Sequence, residues 1–212
     1  MARKIARYLE PDFSLCDIGC GLGRLDLELA PFISNILAVD ISADAVNRLK
    51  LDAAKQGADN IIIRCGDAAD VQDCFDVILL SLYGQPDIQK LLGQCRRKLI
   101  RIVSSGKRSG LYPEQYRREI KNAVPDVQEE LESLGIIYNL EHCAFESGQP
   151  LRTLREAENF ILSNAPDARP EVIADFLSMN IESTGRDDFP YFLPYMKEFG
   201  IFVIEKFRNS QP

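Results

Sequence analysis

Short apolar runs rich in β-branched residues alternate along the chain with longer stretches in which apolar positions recur every three or four residues. The first pattern suits strands buried on both faces, and the second suits helices with a single apolar stripe. Strands are predicted at 15–18, 36–39, 61–65, 75–80, 99–104, 136–143 and 201–207, seven in all. Between them the spacing predicts helices at 24–30, 43–56, 86–98 and 113–134, with 1–9 as an amphipathic lead-in. The clearest is 43–56, where Ser42 is placed to cap the helix and Val46, Leu49, Ala53 and Ala54 fall on one face. Strand and helix alternating in this way predict a parallel sheet covered by helices.

The second half breaks that rhythm, because about 57 residues separate the sixth and seventh predicted strands, more than a hairpin or a single crossover needs. A helical insertion at about 147–200 is expected within a single domain spanning 1–212. Thr153-Leu-Arg-Glu156 has the form of a capping box, followed by Ala157, Phe160 and Ile161 on one face. Pro170 suits a first helical position ahead of Val172, Ile173, Phe176 and Leu177. Phe189, Tyr191, Phe192 and Tyr195 form an aromatic stretch that either lines a pocket or packs the insertion in place. The insertion itself would roof a pocket or form a homodimer contact.

Composition narrows the partners. A chain of 212 residues with 46% hydrophobic and 27% charged residues has the make-up of a soluble globular protein. The net charge of -7 argues against a nucleic-acid partner held by phosphate contacts. No apolar run approaches a membrane span and the start carries no apolar signal segment, so a cytoplasmic protein is expected. The six cysteines include no C-x-x-C pair, so no metal site is predicted, and buried reduced thiols are expected.

The candidate chemistry starts where Leu15-Cys-Asp17-Ile-Gly19-Cys20-Gly21-Leu-Gly23 leads from an apolar strand through a glycine-rich turn into a helix, an arrangement that brings backbone close to a ligand. A dinucleotide fingerprint needs its third glycine or alanine where this chain has Arg24, and a phosphate loop needs a closing Gly-Lys-Ser/Thr that is absent. Asp40 ends the second predicted strand and Cys65-Gly66-Asp67-Ala68 closes the third.

This order of features resembles the class I S-adenosylmethionine-dependent methyltransferases, whose D/E-x-G-x-G-x-G turn is matched by Asp17 to Gly23 and whose fourth strand is matched by Phe75-Asp-Val-Ile-Leu-Leu80. The resemblance implies an α/β, Rossmann-like, doubly wound seven-stranded sheet, mostly parallel with an antiparallel last strand. It implies S-adenosyl-L-methionine as cofactor and a small-molecule acceptor. By the same resemblance Asp17 sits near the methionine end, the backbone at Gly19, Cys20, Gly21 and Gly23 packs on the ribose and carboxypropyl portion, and Asp40 takes the ribose hydroxyls. Ile41 would lie on the adenine face, with Asp67 and Ala68 lining that ring.

The acceptor side is less defined. The Asn/Asp-Pro-Pro-Tyr/Phe run of family members that modify DNA bases or glutamine is replaced by Ser81-Leu82-Tyr83-Gly84. Tyr83, the sole histidine His142, and Glu146 are the candidates for acceptor chemistry. Lys107 and Arg108 follow the fifth predicted strand and would either meet an anionic acceptor or sit in a solvated loop. A protein acceptor, a binding module that keeps the cofactor site without catalysis, and a nicotinamide-dependent enzyme are the rival readings.

Overall fold

The computed structural model describes residues 1–106 and 110–206. Its helices are α1 (Ala2–Ile5), α2 (Arg24–Leu29), α3 (Ala43–Gln56), α4 (Ile88–Gln94), α5 (Val124–Ser133), α6 (Leu154–Asn164) and α7 (Pro170–Asn180). The strands are β1 (Ser14–Ile18), β2 (Asn35–Asp40), β3 (Ile61–Cys65), β4 (Phe75–Ser81), β5 (Cys95–Ser104), β6 (Asn139–Leu151), β7 (Glu182–Ser183) and β8 (Tyr191–Glu205). The sheet order is β3-β2-β1-β4-β5-β8-β6, with β7 paired antiparallel to β8. The first five strands pair in parallel, and the C-terminal strands run antiparallel. The doubly wound, mostly parallel sheet that the resemblance implies is therefore present, with the two-residue β7 added. The strand order reverses between β1 and β4, the point at which open α/β sheets leave a crevice at their carboxyl ends.

The chain divides into two compact units. The first comprises Met1–Val103, Glu130–Glu141 and the chain from Ile201, and the second comprises Ser104–Glu129 and His142–Gly200. The second unit thus takes in all of the expected insertion and adds residues 142–146 and the segment after β5.

In the first unit β1, β2 and β4 are buried on both faces, with Leu15, Ile36, Val77 and Ile78 all at most 1% exposed. That burial explains why they read as unbroken apolar runs. Helix α3 has the predicted bounds, and the Ser42 side chain accepts the Ala45 N–H at 3.3 Å. Ala54 is exposed, so the buried stripe is Val46, Leu49 and Ala53. Arg101 is fully buried on β5, where its Nη1 donates to Glu130 Oε2 of α5 at 2.6 Å and its Nε has no partner. The lead-in is split between α1 and a 3₁₀ turn at Ala6–Tyr8, and Lys4, Arg7 and Tyr8 all bond the Glu141 carboxylate.

Two predicted helices shorten for identifiable reasons. The one expected over 86–98 starts at Ile88 behind the cap Asp87 and stops at Gln94, because Cys95 onward joins β4 as a strand. The one expected over 113–134 is reduced to a 3₁₀ turn at Glu114–Tyr116 and α5, because Pro125 lacks an N–H and fits only a helix's first turn.

The second unit has its own core of Leu151, Ala157, Ile161, Ile173, Leu177 and Leu193 with the small residues between them. Helix α6 begins at the predicted cap, with Thr153 accepting the Glu156 N–H at 3.0 Å, while Glu156 returns its carboxylate to the Arg152 N–H at 2.6 Å. Helix α7 begins at Pro170 as predicted. The aromatic stretch largely belongs to β8, and it packs: Phe192 lies over Gly148, Tyr191 joins the core, Arg152 stacks on Phe189 at 5.0 Å, and Tyr195 Oη accepts the Gly110 N–H at 3.1 Å. Lys107, Arg108 and the end of the last predicted strand lie outside the described residues.

Breaking a buried ion pair from one side leaves a charge stranded, so Glu130→Ala is expected to lower unfolding stability by about 3 kcal/mol, measured by urea titration. A change below about 0.5 kcal/mol would mean that water satisfies Arg101 in place of Glu130.

Candidate functional site

Beyond Ile18 the chain turns through three glycines in the left-handed region, Gly19 at φ +76, Gly21 at +56 and Gly23 at +63. A side chain costs roughly 1–2 kcal/mol in that conformation, which is why glycine recurs at these positions. Space adds a second constraint at two of them. A Cβ on Gly19 would lie 2.5 Å from the Tyr83 ring, and one on Gly23 would lie 2.2 Å from Leu49 of α3. A Cβ on Gly21 would meet nothing within 4 Å, so the middle of the turn opens onto free space.

The turn is tied to the end of β2. Gly19 and Cys20 donate their N–H groups to the Val39 carbonyl at 2.8 and 3.1 Å. Asp40 Oδ2 accepts the Gly21 N–H and Oδ1 accepts the Ser42 N–H, both at 2.8 Å. Each Asp40 oxygen keeps a further lone pair, so a fixed carboxylate with spare acceptor capacity stands at the turn. One strand further, Gly66 donates to the Asp40 carbonyl at 3.0 Å, and the exposed Asp67 caps a short 3₁₀ turn by accepting the Ala69 N–H at 2.8 Å.

These elements surround a cavity of about 370 Å³ whose lining includes Gly19, Asp40, Ile41, Asp67, Leu82 and Tyr83. Ile41 is 76% exposed and Leu82 62%, an unusual position for two large apolar side chains unless something covers them. Leu82 also carries a φ of +53, one of two such non-glycine residues among those described. A left-handed leucine at the end of a strand is strain of the kind that gathers at functional sites. Tyr83 lines this cavity and a neighbouring one of about 170 Å³ that reaches Gln85 and Lys90.

Beneath the turn lies a buried pair of acids. Asp17 on β1 is 1% exposed and Asp26 on α2 is 0% exposed. Asp17 Oδ1 and both oxygens of Asp26 have no hydrogen-bond partner. Two ionised carboxyls offer each other no donor, so an O–H···O bond joins them only when one carries a proton. Burial first, then the charge of Asp26, holds Asp17 well above the usual carboxylate range, and burial raises Asp26 to about 7. The same acids and burial keep the Cys16 and Cys20 thiols protonated, with Cys16 pushed up to about 12. Neither cysteine is a thiolate nucleophile at neutral pH. Cys65 and Cys74 are exposed, against the expectation of buried thiols, and none of the six cysteines forms a disulfide.

The structure therefore gathers Gly19, Asp40, Ile41, Asp67, Ala68 and Tyr83 around one cavity, with Cys20, Gly21 and Gly23 in the turn beside it and Asp17 under the turn. His142 and Glu146 belong to the second unit, where exposed His142 shares a hollow with Ser105, Cys143 and Glu198. Sequence reasoning missed Asp26 and Leu82. A charged residue inside an apolar helical stripe nine positions after Asp17 was a usable signal for the first. No local pattern announces the second. Among the described residues, no group of three or more His, Cys, Asp or Glu could hold a metal ion.

A family model described as a methyltransferase domain matches residues 9–158. A protein of Methanococcus maripaludis (strain C6) named "Probable cobalt-precorrin-6B C(15)-methyltransferase (decarboxylating)" is 30% identical over 95 residues, which cover 45% of this chain and 52% of that one. The chain thus spans about half the length of the curated relatives it matches. Among solved structures, the YcgJ protein of Bacillus subtilis superposes with a TM-score of 0.61 at 14% identity, covering 97% of this chain and 98% of that one. The precorrin-6Y C5,15-methyltransferase of Geobacter metallireducens gives 0.57 at 13% identity, covering 96% and 87%. At these identities the solved structures establish the shared fold.

Because the native pair holds protons that the unfolded chain releases near pH 4, it destabilises the fold progressively as pH rises from about 4 to about 7. Asp26→Asn removes much of that penalty, so its gain in Tm over the wild type should be larger at pH 7.5 than at pH 5. Equal gains at both pH values would show that the pair does not titrate in this window.

Proposed function

The chain belongs to the methyltransferase-domain family, and from that membership we propose that it binds S-adenosylmethionine at the glycine turn and transfers the methyl group to a small-molecule acceptor. The observation that carries this reading is the convergence of Gly19, Asp40, Ile41 and Asp67 on one cavity, beside a turn whose central glycine faces open space.

Each residue then has a task that follows from its placement. The Asp40 carboxylate, already oriented by two backbone N–H groups, uses its remaining lone pairs for the vicinal ribose hydroxyls. The side-chain-free backbone of the turn lets the ribose and carboxypropyl portion approach closely. Ile41 covers the adenine face, and Asp67 with Ala68 lines its polar edge. Asp17 serves the methionine end.

The bound donor supplies a methyl carbon already activated by a positively charged sulfur. What remains for the protein is to hold an acceptor atom about 3 Å from that carbon, in line with the breaking bond, and to keep water out. Tyr83 is the one acceptor-side candidate that lines the cavity.

Residues 159–200 of the second unit lie beyond the family match. The relatives named for cobalt-precorrin methylation support a small-molecule acceptor. The net charge of -7 weighs against a polyanionic one.

Calorimetry with S-adenosylhomocysteine tests the reading directly. Asp40→Asn keeps one carboxamide oxygen and should weaken binding by about 1–3 kcal/mol, with Tm recorded to separate binding from folding. Wild-type protein that gives no heat with this ligand would remove the cofactor assignment.

A further inference from the structure

The second unit carries a hollow of its own, of about 300 Å³, whose described lining is Ser105, His142, Cys143, Ala144 and Glu198. Three neighbouring strands build it. β8 lies between β5 and β6 in the sheet, and Ser105, one residue past β5, donates its N–H to the Glu198 carbonyl of β8 at 3.0 Å. Residues that face each other across a strand pair in this way project their side chains from the same side of the sheet. On β6, His142 and Ala144 are exposed while Cys143 between them is buried, so the histidine stands on the open side. A hydroxyl, a carboxylate and an imidazole thus meet at one hollow.

None of the three is committed elsewhere. Among the described residues, the Ser105 hydroxyl, the His142 ring and the Glu198 carboxylate have no hydrogen bond or ion pair. Their chemistry defines the occupant. No lysine or arginine belongs to the described lining, so the Glu198 charge is uncompensated and repels an anion. A metal ion does not match, because among the described residues no three His, Cys, Asp or Glu groups are placed to ligate one. A primary ammonium does. It brings one positive charge and three N–H donors, and the hollow offers a carboxylate oxygen, a hydroxyl oxygen and a ring nitrogen as acceptors. The volume is larger than an ammonium fills and stands at the small end of the range for organic ligands, so the amine carries a short body.

We propose that the second unit binds a small primary amine through Ser105, Glu198 and His142. Glu198 supplies the charge, and Ser105 and His142 supply directional acceptors. Selection therefore falls on the N–H groups as well as on charge, and a quaternary ammonium is discriminated against. The site needs no bound cofactor, so its failure leaves the cofactor reading untouched.

His142 is the sole histidine of the chain, so its ring gives one set of imidazole C–H signals in the NMR spectrum of untagged, carbon-13-labelled protein. Titrating the wild type with ethanolamine at constant pH 7.5 and constant ionic strength should shift those signals saturably, with a midpoint in the millimolar range. Choline keeps the charge and the hydroxyl but has no N–H, and it should bind at least about tenfold more weakly. Acetate and ethylene glycol should leave the signals in place. Glu198→Gln should weaken ethanolamine binding by roughly tenfold or more and Ser105→Ala by about threefold, each with Tm close to that of the wild type. Equal affinity for ethanolamine and choline overturns the proposal, leaving only a surface charge that attracts any cation. A saturable response to acetate, no saturable shift with ethanolamine, or wild-type affinity in Glu198→Gln overturns it too. If a variant does not fold, the wild-type comparison of ethanolamine with choline decides alone.

Discussion

The bond on which the rest depends is the one between the Asp40 carboxylate and the Gly21 N–H. It joins the last residue of β2 to the middle of the turn leaving β1, and the Val39 carbonyl reinforces it through Gly19 and Cys20. Left alone, three left-handed glycines in five residues would sample many conformations, since glycine loses more freedom on ordering than any other residue. The carboxylate offsets that loss and at the same time is itself fixed in place. Ser42, which starts α3, hangs from its other oxygen, so one side chain sets the turn, the helix start and the polar wall of the cavity.

This economy explains which parts were legible beforehand. The glycine spacing, Asp40 and the Ser42 cap are local devices, and each appears in the sequence at the position where it acts. Thr153 and Pro170 announce their helices for the same reason. Helix α3 needed no tertiary information, because cap, stripe and closing Gly57 agree.

What was not legible depends on partners distant in sequence. β6 runs through Ser147-Gly-Gln-Pro150, a stretch with the composition of a turn, and is extended because β8 lies beside it with Phe192 over Gly148. β8 begins ten residues earlier than its apolar run suggests, since Pro194 and the aromatics conceal the strand period. Asp26 is marked in the sequence only by its place in an apolar stripe, and its complete burial against Asp17 gives that place its meaning. Leu82 owes its conformation to the Leu82 N–H held by the Ile102 carbonyl of β5 at 2.9 Å, a contact no window of sequence contains.

The division of the chain into two units has an evolutionary consequence. The path passes between them at four points, 103/104, 129/130, 141/142 and 200/201, which fall inside β5, α5, β6 and β8. Neither unit is a contiguous cassette. A recombination event that carried in a new second unit as one block would sever three strands and a helix, so such a scaffold diversifies by point substitution and by loop growth between those four fixed junctions, not by domain shuffling.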